Sequence, residues 1–477
     1  MSATARLARN TGLLSVSELV TKAFTLTFFM LLARRLGVEG MGRWTYAFTF
    51  VSLFVNLFNF GLSTLFTREA AAHPERSVQL LGKFLPLRSV LALAALAVLW
   101  PVAWLARRGA SPVLLLVFGA ALAGSLVSDL LRSVFRARQR MQYDALLNIA
   151  ERGLSSIFGS VALALGLGLL ATAASWASGM LVALGLALLL ARSQDSLGAK
   201  GPTPREAAGM LRQAAPLFLL GVLATLYFRQ DVLLLRWLRS ERETGLYSAA
   251  YRLLDMLVFL PGSLALAYLP AAAAARRESP AKFEALCRRA LALTFSISVP
   301  LAVVLGFRAA DVIRVLFGEQ FAPAAPAARI LCWTLVFFFA NPVLGNTLIA
   351  GNLQRLPAVA VGLGVVFNAA LNLVLIPRLG IVGAAWSTLI TEGALFLVQG
   401  TFVARRLVPM NLLLPLLKPG LAGLGLAGLM WLLRGAGLPV ALGAALVGYL
   451  GLGLLLGLWH RSEWNALLPG RLRGETT

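Results

Sequence analysis

The chain contains 477 residues, of which 59% are hydrophobic and 13% are charged. Average soluble domains have roughly 45–50% apolar and about 25% charged residues. A soluble fold of this size needs more polar surface to cover its core, so the composition excludes a cytosolic globular enzyme and a disordered chain. The apolar stretches are long and continuous rather than alternating, which disfavours a β-barrel. We therefore predict an all-α polytopic membrane protein.

The charge balance is strongly basic, with 43 Lys and Arg residues against 20 Asp and Glu residues and a net charge of +23. In a soluble protein this excess would indicate a nucleic-acid partner. In a membrane protein, basic residues gather in cytoplasmic loops beside anionic lipid headgroups. We therefore expect membrane lipids, and no nucleic acid, among the partners.

The sequence shows no motif for catalysis or for a cofactor. It contains no Walker A loop, no dinucleotide-binding fingerprint and no GxSxG nucleophile motif. Its two histidines, His73 and His460, and its two cysteines, Cys287 and Cys332, lack the spacing typical of metal sites. We therefore expect no enzyme activity, no cofactor and no bound metal.

Windows of about 20 apolar residues, the length that crosses a bilayer core as a helix, recur along the whole chain. The fourteen predicted spans are 13–33, 43–66, 84–106, 113–134, 145–166, 171–191, 213–236, 247–270, 287–306, 328–351, 357–376, 383–403, 412–433 and 438–459. An even number of spans places both termini on one side of the membrane. Most Lys and Arg residues of the loops fall on that side, so the positive-inside rule predicts that both termini are cytoplasmic.

The connections between spans are too short to form a soluble domain. The longest polar connection contains Gly198, Gly201, Pro202 and Pro204, which is typical of a linker. The predicted domains are an N-terminal six-helix lobe (1–193), a cytoplasmic linker (194–210), a C-terminal six-helix lobe (211–406) and an additional helix pair with a short cytoplasmic tail (407–477).

A weak internal repeat relates the two halves. An offset of 203 residues places the segment that begins at Gly42 (GRWTYAF) opposite the segment that begins at Gly245 (GLYSAAY). The offset corresponds to six spans, an even number, so the repeat would be parallel, with its axis along the membrane normal. Transporters built in this way bind their substrate between two lobes. Chance is the alternative, because Ala and Leu dominate both halves.

Several short segments carry a resemblance to a known family. They are residues 32–44 (LARRLGVEGMGRW), 59–63 (NFGLS), 67–71 (TREAA), 245–253 (GLYSAAYRL) and 368–385 (NAALNLVLIPRLGIVGAA). In their order and spacing they resemble the O-antigen and exopolysaccharide flippases, a polysaccharide biosynthesis family of the MOP superfamily. The resemblance covers residues 5–405.

The resemblance implies two six-helix lobes around a central cavity, with two extra helices, in a bacterial cytoplasmic (inner) membrane. It also implies movement of an undecaprenyl-pyrophosphate-linked oligosaccharide from the cytoplasmic to the outer leaflet by alternating access. The partners that it suggests are this lipid-linked oligosaccharide, a coupling proton or sodium ion, and the polysaccharide polymerase machinery.

Three other classes compete with this interpretation. A cation-coupled multidrug exporter of the MATE type would favour twelve spans and an acidic cavity. A peptidoglycan-precursor flippase also has fourteen spans, but a more strongly cationic pattern in its first two helices is expected. A membrane glycosyltransferase or polymerase normally has large external loops. The number of spans and the embedded cations favour the polysaccharide flippase.

Charged residues inside spans cost roughly 2.5–3.5 kcal/mol on insertion scales and therefore usually face a cavity or a partner. Lys22, Arg229 and Arg252 are the candidates for binding an anionic headgroup. The alternative for Lys22 is pairing with Glu18 four residues earlier, and for Arg252 pairing with Asp255 three residues later.

Buried carboxylates are candidates for coupling transport to a proton or a cation. The predicted coupling residues are Glu18, Asp231, Asp255 and Glu392, with structural salt bridges as the alternative. Asp129 lies close to a cluster of Arg residues, and we expect it to pair there.

Two amides add a polar face to the eleventh span. Asn368 and Asn372 lie four residues apart, so they share one side of a helix. They are candidates for contacting sugar hydroxyls, and hydrogen bonding between helices is the alternative.

Overall fold

The computed structural model describes residues 3–105, 110–193 and 201–458, which are helical apart from short turns and connections and contain no β-strand. The α-helices are α1 (Ala3–Asn56), α2 (Leu62–Ala72), α3 (Ser77–Leu105), α4 (Pro112–Ala137), α5 (Met141–Ala164), α6 (Leu169–Ser193), α7 (Pro204–Leu238), α8 (Glu241–Asp255), α9 (Phe259–Glu278), α10 (Pro280–Phe317), α11 (Ala325–Ala350), α12 (Arg355–Leu379), α13 (Ile381–Arg406), α14 (Leu414–Leu432) and α15 (Leu438–Leu455). Short 3₁₀ helices cover Pro74–Arg76 and Glu319–Ala324. The predicted all-α class is confirmed.

Within these ranges, twelve helical stretches are long and apolar enough to cross a membrane. One of them, Val16–Asn56, has 41 residues, so it is about 60 Å long, twice the thickness of a bilayer core. It kinks at Gly37, whose φ of 70° is not helical, and so contains the first two predicted spans. The 24-residue helix α5 is long enough to cross but carries three charged residues. Dividing Val16–Asn56 at Gly37 into two spans, and adding α5, raises the number from twelve to the fourteen predicted spans.

Local sequence signals account for several helix starts. Thr203 and Glu206 form a reciprocal capping box at the start of α7, where Pro204 occupies the first turn. Ser279 caps α10 in the same position relative to Pro280. Of the predicted linker, residues 194–200 lie outside the described ranges, and residues 204–210 form the first turns of α7.

Two predicted spans are interrupted, which corrects the prediction that 43–66 and 247–270 are continuous helices. α1 ends at Asn56 and α2 begins at Leu62, and similarly α8 ends at Asp255 and α9 begins at Phe259. We call residues 57–61 the first interruption and residues 256–258 the second interruption. The hydropathy pattern did not reveal either one, because the sequence is mostly apolar on both sides.

The chain divides into two compact units, Met1–Ser248 and Ala249–Thr477. Unit 1 contains a buried aromatic group in which Trp44 packs edge-on against Phe118 and Trp176, with ring centroids 4.8 and 5.9 Å away. Unit 2 has its core where α10 packs on α11 and α14, around residues such as Phe295 and Leu344. The lobe and linker boundaries predicted from the sequence stay a prediction.

The repeated glycines meet within unit 1. A Cβ atom on Gly42 would overlap the carbonyl oxygen of Glu241, and a Cβ atom on Gly245 would overlap that of Val38. Val38 and Glu241 are themselves 203 residues apart, so the contact is reciprocal, as it is across a two-fold axis. This symmetry supports the internal repeat, because chance matches between helices would not place corresponding residues in mutual contact.

Candidate functional site

Arg252 and Asp255 lie in the last turn of α8, directly before the second interruption. Arg252 Nη1 lies 3.3 Å from Asp255 Oδ2, and the two side chains are 16% and 17% exposed. The local pairing predicted as an alternative is therefore present. The pair keeps some exposure, so its cation is accessible from outside the packed helices.

The Asp231 carboxylate lies on α7 and is buried. It accepts a hydrogen bond from the hydroxyl group of Tyr247, with an O–O distance of 2.7 Å. Arg229, two residues earlier, is half-buried on a different face of the helix, as the spacing predicts. Sequence reasoning missed Tyr247 as a functional candidate, although it belongs to the repeated aromatic motif.

Asn368 and Asn372 share one buried face of α12, as predicted. The Asn372 amide donates to Asn368 Oδ1 at 2.8 Å, and the Asn368 amide donates to Thr391 Oγ1 on α13 at 3.2 Å. The expected hydrogen bond between helices is therefore present. Both amides are buried, so a substrate contact would require this chain of hydrogen bonds to open.

Glu392 lies on α13 beside an amide of α11. The Asn341 amide donates to Glu392 Oε2 at 2.6 Å, and both residues are buried. Burial disfavours the charged form of a carboxylate, so protonation or cation binding is favoured at such a position. This geometry suits a group that exchanges a proton or a cation.

Glu18 and Lys22 lie on α1, where Glu18 is exposed and Lys22 is half-buried. Glu18 Oε1 accepts a hydrogen bond from the Asn148 amide of α5 at 3.5 Å. The carboxylate therefore has a partner on a neighbouring helix.

The charge network between α4 and α5 confirms the expected role of Asp129 and adds residues that the sequence reasoning missed. Asp129 Oδ1 lies 2.9 Å from Arg136 Nη2. Arg132 lies 3.0 Å from Asp144 and 3.5 Å from Glu151, and Arg136 is also 3.3 Å from Asp144. Three carboxylates thus share two guanidinium groups in a largely buried cluster.

A helical period would have identified this acidic face. Asp144, Asn148 and Glu151 follow each other at spacings of four and three residues, so they lie on one side of α5. The hydroxyl groups of Ser125 and Ser128 on α4 donate to Glu151 at 2.7 and 3.2 Å. The charges were missed because the span was identified by its average hydropathy alone.

Arg88 of α3 is the second missed feature. Its side chain is fully buried and donates to the carbonyl oxygens of Leu126 and Asn59, to Asn59 Oδ1 and to Ser63 Oγ, at 2.6–3.0 Å. All four acceptors are neutral. The sequence carried a signal for it, because Arg88 lies inside the predicted span 84–106.

No cluster of three or more His, Cys, Asp or Glu residues arranged to hold a metal ion occurs among the described residues. Protein ligands for a resident metal therefore do not converge in this part of the chain.

Residues 7–274, more than half of the chain, match the family described as polysaccharide biosynthesis protein. The chain belongs to that family. Residues 216–374 also match the MatE family. The resemblance drawn from the sequence motifs is thereby confirmed, and this family member is a multi-pass membrane protein.

Two relatives match parts of this family member. The probable low-salt glycan biosynthesis flippase Agl15 of Haloferax volcanii is 24% identical over 257 residues, which are 54% of each chain. An uncharacterized membrane protein of Methanocaldococcus jannaschii is 30% identical over 111 residues, 23% of this chain and 22% of the relative. The chain therefore spans about half of the first relative and less than a quarter of the second.

Solved structures share the fold. The lipid II flippase MurJ in an inward closed conformation has a TM-score of 0.77 at 15% identity, covering 92% of this chain and 98% of that one. An inward-facing multidrug resistance MATE transporter of the MOP superfamily has a TM-score of 0.63 at 14% identity, covering 80% and 94%. At these identities the similarity shows a common transporter fold.

Proposed function

We propose that this protein is a flippase that moves an undecaprenyl-pyrophosphate-linked oligosaccharide from the cytoplasmic to the outer leaflet for surface polysaccharide assembly. The observation that carries the proposal is the family match over residues 7–274. The match to a probable glycan biosynthesis flippase over half of the chain supports the same substrate class. We propose alternating access as the mechanism, both termini in the cytoplasm, and the bacterial inner membrane as the location.

The physical requirement is a polar route for the headgroup. A sugar chain and a pyrophosphate cannot cross hydrocarbon unaided, because each unpaired polar group costs several kcal/mol. The protein has to replace water around the headgroup while the lipid tail stays in the bilayer. The proposed role needs binding groups and movement, and no catalytic residue.

We propose Lys22, Arg229 and Arg252 as the cations that bind the pyrophosphate. Arg252 is supported by its position before the second interruption, because interrupted helices in transporters line the substrate site. Its pairing with Asp255 keeps the guanidinium charge balanced between transport events. Asn368 and Asn372 remain proposed contacts for sugar hydroxyls.

For ion coupling we propose Glu392, Asp231, Asp255 and Glu18. Glu392 and Asp231 have the strongest support, because each carboxylate is buried and hydrogen-bonded to a neutral donor. Neutralising such a carboxylate by a proton or a sodium ion would lower the energy of the buried site. The polysaccharide polymerase machinery is the proposed protein partner.

The first experiment is made on a deletion strain. Undecaprenyl-linked glycans are extracted, and the accessible leaflet is determined on inverted and right-side-out vesicles. We expect the complete oligosaccharide to accumulate on the cytoplasmic leaflet while surface polysaccharide is lost, with reversal by the plasmid-borne gene. Unchanged polysaccharide and unchanged lipid-linked glycan would contradict the proposal.

Arg229→Ala extends that experiment to the binding site. The variant is expected to reach the membrane at the wild-type level and to leave the deletion phenotype unrestored, because one cation for the pyrophosphate is lost. An Arg212→Ala variant, at the start of the same helix, is the matched control. Full restoration by Arg229→Ala would remove Arg229 from the headgroup site.

A second candidate function is flipping of a peptidoglycan precursor. It is favoured by the similarity to lipid II flippase MurJ, because the alignment with this chain covers 98% of that structure. The same deletion strain separates the two functions, because loss of a peptidoglycan precursor flippase leads to accumulation of lipid II. The match to the MatE family supports drug export as a third outcome, which would appear as sensitivity to cationic dyes with normal glycans.

A further inference from the structure

The first interruption carries a side chain that none of the preceding assignments uses. We propose that the Asn59 carboxamide binds oxygen acceptors of the transported headgroup, and that buried Arg88 is the positioning residue that orients it. This inference rests on the proposed function and adds a binding residue to it.

The backbone of the first interruption departs from a helix at membrane depth. The N–H groups of residues 57–59 donate to carbonyl groups three residues earlier, and Phe60 and Gly61 have φ of 48° and 61°. A left-handed conformation at a residue such as Phe60 costs about 1–3 kcal/mol and persists where its surroundings enforce it. Residues with such strained backbones cluster at functional sites.

Arg88 is the group that enforces this conformation from α3. Its Nη1 lies 2.6 Å from the main-chain oxygen of Asn59, and its Nη2 lies 2.8 Å from Asn59 Oδ1. The planar guanidinium group therefore grips both oxygens of one residue, in the forked geometry that only Arg provides. Nε donates to Leu126 and Nη2 donates also to Ser63, so four of the five N–H groups of Arg88 have acceptors within the protein.

α7 holds the opposite side of the interruption. The rings of Phe60 and Phe218 stack with centroids 4.7 Å apart, and the Asn56 amide donates to Thr225 Oγ1 at 3.3 Å. The interruption is therefore fixed by two helices. Asn59 cannot turn its carboxamide without breaking the grip of Arg88.

The orientation leaves the two N–H donors of Asn59 directed away from Arg88. Asn59 is half-buried, and no acceptor in the described residues takes a hydrogen bond from its amide nitrogen. A lipid-facing amide without a partner would cost several kcal/mol, so the donors belong on a polar route. Two N–H donors select oxygen acceptors, which phosphate and sugar hydroxyl groups both present.

The decisive variant is Asn59→Asp. A carboxylate keeps an oxygen for Arg88 and strengthens that bond, so the interruption stays anchored, while the two donors are replaced by a negative oxygen. We expect the variant to reach the membrane at the wild-type level. Surface polysaccharide should fall to about one tenth or less, because the variant loses one good hydrogen bond to a charged group. Asn352→Asp, in the exposed turn that follows α11, is the matched control and should restore polysaccharide fully.

Binding to purified protein separates the two sources of oxygen. Undecaprenyl pyrophosphate and the undecaprenyl-linked glycan from the deletion strain are titrated against wild type and Asn59→Asp, and ligand-induced thermal stabilisation is measured. Weaker binding of both lipids assigns the contact to the phosphates. Weaker binding of the glycan lipid alone assigns it to the sugar. Equal affinities of the two proteins for both lipids overturn the inference.

Arg88→Lys tests the positioning role if Asn59→Asp does not accumulate. Lys cannot grip both oxygens of Asn59, so we expect the folded protein to bind the lipids about tenfold more weakly. A purely structural role would reduce the amount of folded protein and leave its affinity unchanged, which would overturn the inference. Ser63→Ala removes one of the four Arg88 acceptors and should retain affinity.

The same experiments distinguish failure of the inference from failure of the proposed function. If wild type neither restores polysaccharide nor binds either lipid, the proposed function is wrong, and the inference fails with it. If wild type restores polysaccharide and Asn59→Asp restores it equally at equal protein level, only the inference fails.

Discussion

The two interrupted spans differ in how their interruptions are held. The first interruption contains two left-handed residues and is gripped by the fully buried Arg88, which has neutral partners. The second interruption is three residues long and has no left-handed residue. It follows the Arg252–Asp255 pair, which stays partly exposed. The 203-residue offset places the counterpart of the first interruption at residues 260–264, and the second interruption begins four residues before that position.

The difference indicates a division of roles. A buried Arg that donates to four acceptors is an anchor, because releasing it would leave several polar groups without partners. A partly exposed ion pair contributes little to stability, typically 0–1 kcal/mol, and can exchange one partner for an anionic ligand. We expect the first interruption to govern stability and to hold Asn59 in a fixed orientation, and the second to exchange its ion pair for the ligand.

The largest expected effect is that of Arg88→Met. The substitution leaves two main-chain carbonyl groups and two side-chain oxygens without their donor, at about 1–3 kcal/mol each, so the free energy of unfolding falls by several kcal/mol. The measurement is the amount and melting temperature of detergent-solubilised protein. Arg252→Met is the matched variant. If both variants lower the melting temperature and the amount of protein equally, Arg88 is no more an anchor than the Arg252–Asp255 pair.

A smaller effect is expected for Gly61→Ala at the first interruption. An Ala at φ 61° costs about 1–2 kcal/mol, and its Cβ would lie 2.6 Å from Leu217 Cβ. The melting temperature should drop, while Met256→Ala in the second interruption should leave it nearly unchanged. A similar decrease for both would show that the backbone conformation is not what separates the two regions.

The smallest effect on stability, and the sharpest effect on lipid binding, is expected at the second interruption. Arg252→Gln and Asp255→Asn each break the same ion pair, so both should change the free energy of unfolding by at most about 1 kcal/mol. Binding of the pyrophosphate lipid should weaken about tenfold or more only in Arg252→Gln, because only that variant loses a cation for the pyrophosphate, whereas Asp255→Asn removes a proposed coupling carboxylate and should keep the lipid affinity. Equal lipid affinities of the two variants would reduce the pair to a structural role.

Much of the fold was predictable because hydropathy is a local property. Spans such as 113–134 and 383–403 lie within the observed α4 and α13, and the turn expected after Gly166 separates α5 from α6. The interruptions were not predictable, because they depend on contacts from other helices. Asn59 and Gly61 belong to the family-like segment 59–63, but nothing in that segment shows that the chain leaves its helix there.

The candidate site was predictable only where partners are neighbours on one helix. The spacing of Arg252 and Asp255 indicated the pair that the structure contains, and the spacing of Asn368 and Asn372 indicated their shared face. The hydrogen bond of Asp231 with Tyr247 joins two different helices, as does that of Glu392 with Asn341, so no local period could reveal it.

The sequence by itself determined that the protein is an all-helical membrane protein, and its motifs placed it in its family. The helical class follows from the transfer free energy of each apolar segment, and the family follows from the order of the motifs along the chain. Only the tertiary structure decided which buried charges have hydrogen-bond partners. The main-chain oxygens that accept hydrogen bonds from Arg88 belong to residues 29 and 38 positions away in the sequence. A buried cation is tolerated only where such acceptors come together around it.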